Sequence, residues 1–407
     1  MLAKSTVELN VEGALLAVKD MVQWLDEAVE HPTAAHVVER ELFRRVMEMG
    51  RQLFGAFVKA VGNGDLGSEV TLERPDCPGS RVAKRFAEEH RRKLRTIFGE
   101  FSLSRCVYGQ GERKAIEFAL TDQRLQLPES EISYLLQEWD QLLGINQAFG
   151  AVRKTMESIL QIKQSVDTLE QGSQQMAESA EAFRAQQPAP EAQTEGELLV
   201  VTEDNKGIPM VRPADVLPPG AHLTKGQKKN KKKLACVGCV YTVDRHVRTP
   251  EELVATLFRD ADRPTLTPPP SKHRRYWARL TRDVVNADGN IEEINGQRDI
   301  FEHLREDISL RRKGHQMLLN LSDGQRSLQT DRDEYLAAGY PIATGVIEGA
   351  CRHIIKDRME RTGMRWKIAG AQAMLELRTI HTNGDWESFQ NFRITRETNR
   401  LYPYTAV

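Results

Sequence analysis

The chain has 407 residues, and 57 lysines and arginines against 58 aspartates and glutamates give it a formal net charge of -1 at pH 7. This length suits roughly two to three domains of about 150 residues, and the charge balance excludes both a uniformly basic nucleic-acid coat and an acidic tail protein. Five cysteines do not make a secreted disulfide framework in so long a chain, and no apolar run approaches membrane-spanning length, so we expect a cytoplasmic protein.

The first 126 residues are predicted to form a helical and α+β region. Apolar residues recur every three or four positions between Val37 and Val61, before a turn-forming sequence, so this stretch predicts one amphipathic helix. A second helix, rich in basic residues, is expected over 82–95. Alternating apolar residues over 101–107 predict a strand or hairpin.

Residues 127–184 are predicted to be a second, helical region. Its amphipathic pattern is interrupted at 143–147 by Leu-Gly-Ile-Asn-Gln and then resumes. Two helices joined by a short glycine-containing turn are typical of a DNA-binding helix-turn-helix, and equally of a plain helical hairpin. Both interpretations stay open on the sequence alone. The following residues 185–197, rich in Pro, Gln and Glu, are predicted to be a linker.

Residues 198–407 carry short strand patterns and then helical ones. The apolar run at 198–201 predicts a buried strand that ends by Asp204, and further strands are predicted at 234–243 and 315–321. The expected fold class is therefore α+β or α/β, with a helical N-terminal half and a helical C-terminus.

Three carboxylates in this region occupy positions that suit a metal site. Asp204 and Asp323 follow predicted strands, at the edge of a sheet where ligands of α/β proteins bind. Glu348 lies in the first turn of a predicted helix, in a polar row with Arg352 and Lys356. Hard divalent cations prefer carboxylate oxygens. Turn formation by the aspartates and a favourable helix dipole for the glutamate are the structural alternatives.

Three basic stretches favour a polyanionic partner over a purely solvated surface. They cover residues 225–233, with six lysines and no acid, 271–282 and 352–367. Tyr276 and Trp277 in the second stretch suit either stacking on an unpaired base or packing in a core. The candidate DNA-binding residues are Lys225, Lys228, Lys229, Lys231, Lys232, Lys233, Arg274, Arg275, Arg352 and Lys356.

Several segments are distinctive as sequence. VTEDNKGIPM, NLSDGQRSL and GVIEGACRH, together with residues 332–394, resemble bacterial insertion-sequence transposases of the ISKra group. The resemblance implies a DDE transposase, with an N-terminal DNA-binding region and a ribonuclease-H-like catalytic core. It also implies that Asp204, Asp323 and Glu348 are catalytic and bind two Mg²⁺ ions, with Mn²⁺ as the alternative ion.

The same resemblance implies the partners and one alternative function. The partners are double-stranded DNA at transposon ends and target, and further copies of the chain in an active homo-oligomer, near the bacterial nucleoid and with no membrane. Asp323 and Glu348 are only 25 residues apart, whereas similar transposases carry a longer, mostly helical insertion there, preceded by a further core strand. Such an internal deletion makes a catalytically inactive DNA-binding protein the alternative.

Overall fold

The chain divides into two compact units, which we describe separately. The first comprises Met1–Asp140, Val152–Gln164 and Asn391–Val407, and the second comprises Gln141–Ala151 and Ser165–Gln390.

None of the helices in the described ranges is long and apolar enough to cross a membrane. In this computed structural model the described residues are 12–75, 77–111, 114–211, 232–249, 251–252, 267–281, 283–285, 291–293, 316–321, 337–341 and 345–406.

Helices dominate the beginning and the end of the chain, and strands form two blocks between them, so the architecture is a mixture of helices and sheets. The helices are α1 (Glu12–Glu30), α2 (Ala35–Val61), α3 (Leu120–Leu125), α4 (Tyr134–Gly144), α5 (Phe149–Leu160), α6 (Val166–Ala177), α7 (Ala180–Arg184), α8 (Gly345–Ala350), α9 (Asp357–Met359), α10 (Ile368–Thr382) and α11 (Trp386–Leu401). The strands are β1 (Glu69–Arg74), β2 (Cys77–Arg85), β3 (His90–Thr96), β4 (Gly99–Arg105), β5 (Tyr108–Gly109), β6 (Leu198–Pro209), β7 (Lys232–Val243), β8 (Lys272–Leu280), β9 (Asp283–Val285), β10 (Ile291–Glu293), β11 (Gln316–Leu321) and β12 (Thr405–Ala406).

The first unit contains the predicted amphipathic helix α2 and two antiparallel sheets. One sheet has the strand order β12-β1-β2-β5, and the other is the β3–β4 hairpin. The prediction of a strand or hairpin over 101–107 is confirmed by β4. Apolar clusters fix these elements: Leu72 and Tyr108 are buried in the larger sheet, while Leu94 packs beside Phe54 and Phe101, whose ring centroids are 5.1 Å apart.

The prediction of a helix over 82–95 is wrong, because this stretch ends β2 and forms most of β3. Burial in β3 alternates, with Leu94 and Thr96 inside and Arg91 and Lys93 outside. Arg92 is on the inner side and donates a hydrogen bond to the Asp122 carboxylate at 2.8 Å. A period of two residues was thus present in the sequence, and the many charges concealed it.

The second unit contains a four-stranded mixed sheet of order β11-β6-β7-β8. Strands β6, β7 and β8 form an antiparallel meander, and β11 lies parallel to β6 on its other side. The strands predicted at 198–201, 234–243 and 315–321 are confirmed as parts of β6, β7 and β11. Residues 198–203 of β6 are all buried, as expected for a central strand that is covered on both faces.

Two sequence interpretations change in this sheet. Strand β6 continues through Asp204 to Pro209, because β7 pairs with it along its whole length, from Leu198 opposite Val243 to Pro209 opposite Lys232. Asp204 therefore lies inside a strand and not at a turn. In β8, Tyr276 is buried and Trp277 packs against the core of the sheet, which favours packing over base stacking for both.

A continuous helical segment covers part of this sheet. It consists of α8, a π-helical stretch Cys351–Lys356 and α9, and we call it the Glu348 helix. It packs on β6 and β7. The buried guanidinium of Arg378 on α10 donates to the carbonyls of His353 and Ile354, within the π-helical stretch. These hydrogen bonds hold the Glu348 helix against α10.

Candidate functional site

Asp204 lies on the face of β6 that meets the Glu348 helix. Its side chain is half-buried, and its Oδ1 accepts a hydrogen bond from the Asn205 backbone N–H at 2.8 Å. Burial raises the pKa of the Cys351 thiol, and the adjacent Asp204 carboxylate raises it further, through its charge and a hydrogen bond. Asp204 therefore sits beside Cys351, which is three residues after Glu348 on the same helix.

The Glu348 helix has the two faces that the sequence predicted. Glu348, Arg352 and Lys356 are exposed and form one polar row. The apolar stripe is buried, and its members expose at most 5% of their surface: Ile347, Ala350, Cys351, Ile354, Ile355 and Met359. Packing of this stripe on the sheet fixes the rotation of the helix about its axis, which in turn fixes where Glu348 is presented.

Strand β11 ends beside Asp204. Its last residue, Leu321, is in parallel register with Glu203, so the carboxyl ends of β6 and β11 point to the same edge of the sheet. Asp323, the second predicted carboxylate, follows Leu321 by two residues in the sequence and lies outside the described residues. Of the predicted triad, the structure thus brings together the strand that carries Asp204 and the helix that carries Glu348.

Glu203 is a buried carboxylate that the sequence analysis did not select. Only 1% of its surface is exposed. It lies on the opposite face of β6 from Asp204, beside Cys236, whose thiol pKa is raised by burial and then by the Glu203 carboxylate. Successive side chains of a strand point to opposite faces, so Glu203 shares a face with Val201, and Asp204 points to the other face, toward the Glu348 helix. This alternation was the sequence signal that could have identified Glu203 as a buried carboxylate.

The described carboxylates do not form a metal site by themselves. Within the described part of the chain, no group of three or more His, Cys, Asp or Glu side chains is placed to hold a metal. Asp204 and Glu348 are carboxylates on two packed elements, the first half-buried and the second exposed. With Asp323 outside the described residues, a three-carboxylate site stays a prediction.

The predicted lysine stretch is described only at its end. Lys232, at the start of β7, forms an ion pair with Glu360, and the Nζ of Lys206 lies 3.8 Å from the same carboxylate. Lys233 is half-buried. Glu360 thus partly neutralises this end of the stretch. The remaining predicted lysines lie outside the described residues: Lys225, Lys228, Lys229 and Lys231.

The predicted arginines differ in their availability. Arg275 on β8 forms an ion pair with Asp385 and is about a quarter exposed, so it has a structural partner. Arg274 is exposed and donates to the Tyr276 hydroxyl at 3.2 Å. Arg352 lies 3.8 Å from the Asp357 carboxylate, and its side chain is 71% exposed. Arg352 and Arg274 are the better placed of these for phosphate contacts.

A polar cavity of about 270 Å³ opens at the far end of the Glu348 helix. Its lining includes His353, Arg361 and His381, together with Asn146 and one carboxylate, Asp357. The Nδ1 of His353 lies 3.3 Å from Asp357. Arg378 also lines the cavity, so two arginines and one carboxylate face it, and it adjoins the basic stretch 352–367.

The two helices of the predicted helix-turn-helix are confirmed as α4 and α5, joined by a short turn at 145–148. Arg358, itself buried, donates to the Gly144 carbonyl at 2.7 Å. Its guanidinium lies 5.2 Å from the ring centroid of Phe149 and 4.8 Å from that of Trp366. The turn is thus anchored within the second unit, while a DNA-reading role for α5 stays a prediction.

Comparison with known proteins adds no identification. The chain matches no family of known proteins, and it matches no curated protein.

Proposed function

We propose that the second unit is a ribonuclease-H-like nucleic-acid-processing core. The support is one arrangement: a central strand that carries Asp204, a parallel neighbour that ends just before Asp323 in the sequence, and a helix that packs on the same sheet and carries Glu348. In such an arrangement carboxylates from three elements can meet at one sheet edge.

More particularly, we propose that the chain is an insertion-sequence DNA transposase that cleaves and joins phosphodiester bonds at transposon ends. Asp204 and Glu348, with Asp323, would hold two Mg²⁺ ions. Such an ion pair activates the attacking oxygen and stabilises the leaving oxygen of a phosphodiester. Arg352 and Lys356, one and two turns after Glu348, would hold the DNA backbone by charge-assisted hydrogen bonds.

Cleavage of DNA that carries the ends of the element encoding this chain tests the proposal. The substrate is a labelled duplex, incubated with the full chain with and without Mg²⁺. We expect cleavage to need Mg²⁺ and to fall to background in Asp204→Asn and Glu348→Gln. Each substitution removes the negative charge of a proposed metal ligand and keeps nearly the same side-chain size. Glu387→Gln, at an exposed glutamate of α11, is the matched control and should retain activity.

A DNA-binding protein without catalysis is the second candidate. The separation of only 25 positions from Asp323 to Glu348 favours it, because similar transposases have a longer insertion there. In this case the end-bearing duplex is bound and not cleaved, and Glu348→Gln binds as well as the natural chain. Absence of both binding and cleavage would refute both candidates.

A further inference from the structure

The polar cavity at the far end of the Glu348 helix is rich in hydrogen-bond donors, and we call it the arginine cavity. Four segments of the second unit line it: the α4–α5 turn, the Glu348 helix, the chain just after α9 and the end of α10. Five of the lining side chains carry N–H donors: Asn146, His353, Arg361, Arg378 and His381. Asp357 is the one carboxylate among the described residues that line it.

Arg378 is a buried cation whose orientation is fixed by backbone carbonyls. It exposes 9% of its surface. Its Nε donates to the Ile354 carbonyl at 2.6 Å, and its two terminal nitrogens donate to the carbonyls of Ile145 and His353. A guanidinium has two N–H groups on each terminal nitrogen. One N–H on each of them therefore has no partner in the described part of the chain and stays available to a ligand in the cavity.

Arg361 is held in the same way, at the exposed side of the cavity. Its Nε donates to the Asp357 carbonyl at 2.7 Å, and its Nη2 donates to the Asn146 carbonyl at 2.8 Å. These carbonyls position the guanidinium and leave its full charge in place. Arg184 and Arg275 on other parts of the unit have carboxylate partners, so an arginine without an ion pair is not the rule here.

The positive charge around the cavity exceeds the negative charge. Burial, and then the charges of Arg378 and Arg361, lower the pKa of Arg358 to about 9. Burial also lowers the pKa of Arg378 to about 10, while Asp357 raises it and Arg361 lowers it. Three guanidinium groups thus repel one another, and the Asp357 carboxylate is shared with His353, whose Nδ1 lies 3.3 Å away. An anion in the cavity would offset this repulsion.

The size and the donors of the cavity indicate the class of anion. About 270 Å³ lies just below the range of roughly 300–1,000 Å³ that is typical of sites for drug-sized ligands, which favours a compact group. Donors that come from four segments suit the oxygens of a tetrahedral phosphate better than the two oxygens of a planar carboxylate. Arginine is also the residue that best matches phosphate by charge-assisted hydrogen bonds.

We propose that the arginine cavity binds a phosphate group, with Arg361 and Arg378 as its charged partners. The same chemistry serves a free phosphate compound and a phosphate of a nucleic-acid backbone. The proposal does not depend on the transposase assignment, because neither Asp204 nor Glu348 lines the cavity.

Isothermal titration of the full chain with inorganic phosphate tests the site, at an ionic strength kept constant with sodium chloride. We expect Arg361→Gln to weaken phosphate binding by about ten-fold or more, because a charge-assisted hydrogen bond is lost. Arg365→Gln is the matched control, since Arg365 is exposed on the same stretch and does not line the cavity. A natural chain that does not bind phosphate, or equal affinities of these two variants, would overturn the proposal.

Asp357→Asn tests the same site by a gain of affinity. It removes the negative charge that faces the cavity, so phosphate should bind several-fold more tightly than to the natural chain. A general disturbance of the fold would not strengthen binding, so this variant separates loss of a ligand contact from loss of structure. Unchanged or weaker binding, in a variant with the natural circular dichroism spectrum, would contradict the proposed electrostatic role of the cavity.

Competition with a labelled DNA duplex identifies the source of the phosphate, again at constant ionic strength. If inorganic phosphate displaces the duplex from the natural chain and not from Arg361→Gln, the cavity holds a phosphate of the DNA backbone. A duplex that phosphate does not displace, or that the chain does not bind, assigns the cavity to a free phosphate compound. Failure of DNA binding and failure of this site are therefore separate results.

Discussion

Asp140 is a buried carboxyl group whose protonation affects stability near neutral pH. It exposes 2% of its surface and accepts a hydrogen bond from the Gln164 side chain at 2.9 Å. Burial raises its pKa to about 7, against the lowering effect of that hydrogen bond. Because the folded chain keeps this proton up to about pH 7 and the unfolded chain loses it near pH 4, the free energy of unfolding falls as the pH rises through this window.

Asp140→Asn should therefore increase the free energy of unfolding at pH 8. It should also make this free energy less dependent on pH between pH 4 and 7. The asparagine oxygen can still accept from Gln164, while the cost of a buried charge disappears. Each pH unit in this window corresponds to at most about 1.4 kcal/mol. Urea unfolding at several pH values measures the effect, with Asp167→Asn at an exposed aspartate as the control. Equal pH profiles for the natural chain and Asp140→Asn would contradict the argument.

Among the elements, the Glu348 helix agrees best between sequence and structure. Its buried positions could be identified from a 3.6-residue period because the stripe is apolar without exception. The strands β2 and β3 were missed because charged side chains on both faces masked a period of two. Strand β6 was predicted to end by Asp204 and continues to Pro209, because β7 pairs with it along its whole length, and no local pattern contains that pairing.

Ile354→Ala tests how strongly the Glu348 helix is held on the sheet. Ile354 is fully buried in the stripe, so removal of three side-chain carbons should lower the free energy of unfolding by about 3 kcal/mol through lost burial and the cavity left behind. Lys356→Ala, two residues later and exposed, should change it little. Chemical denaturation of both variants gives the comparison, and a similar small change in both would mean that the stripe is not packed.

The net charge of the molecule is near zero, so the proposed DNA binding would depend on local basic surfaces. If Arg352 and Lys356 contact phosphates, Arg352→Gln and Lys356→Gln should each weaken binding uniformly across duplex sequences. Each should also reduce the slope of log affinity against log salt concentration by about one, since one fewer counterion is released. Fluorescence anisotropy on a labelled duplex measures the slope, and Glu387→Gln serves as the control. An unchanged slope in both arginine and lysine variants would exclude these contacts.

Features that repeat over short distances could be predicted from the residues alone: the amphipathic helix α2, the pair α4 and α5, the apolar strands of the mixed sheet and the two faces of the Glu348 helix. Contacts between residues distant in the sequence became known from the folded chain. Lys232 meets Glu360 and Arg275 meets Asp385, over separations of 128 and 110 residues, and Asp204 meets Cys351. Periodicity reports which side of an element is buried, whereas the identity of a partner depends on how the chain folds back on itself.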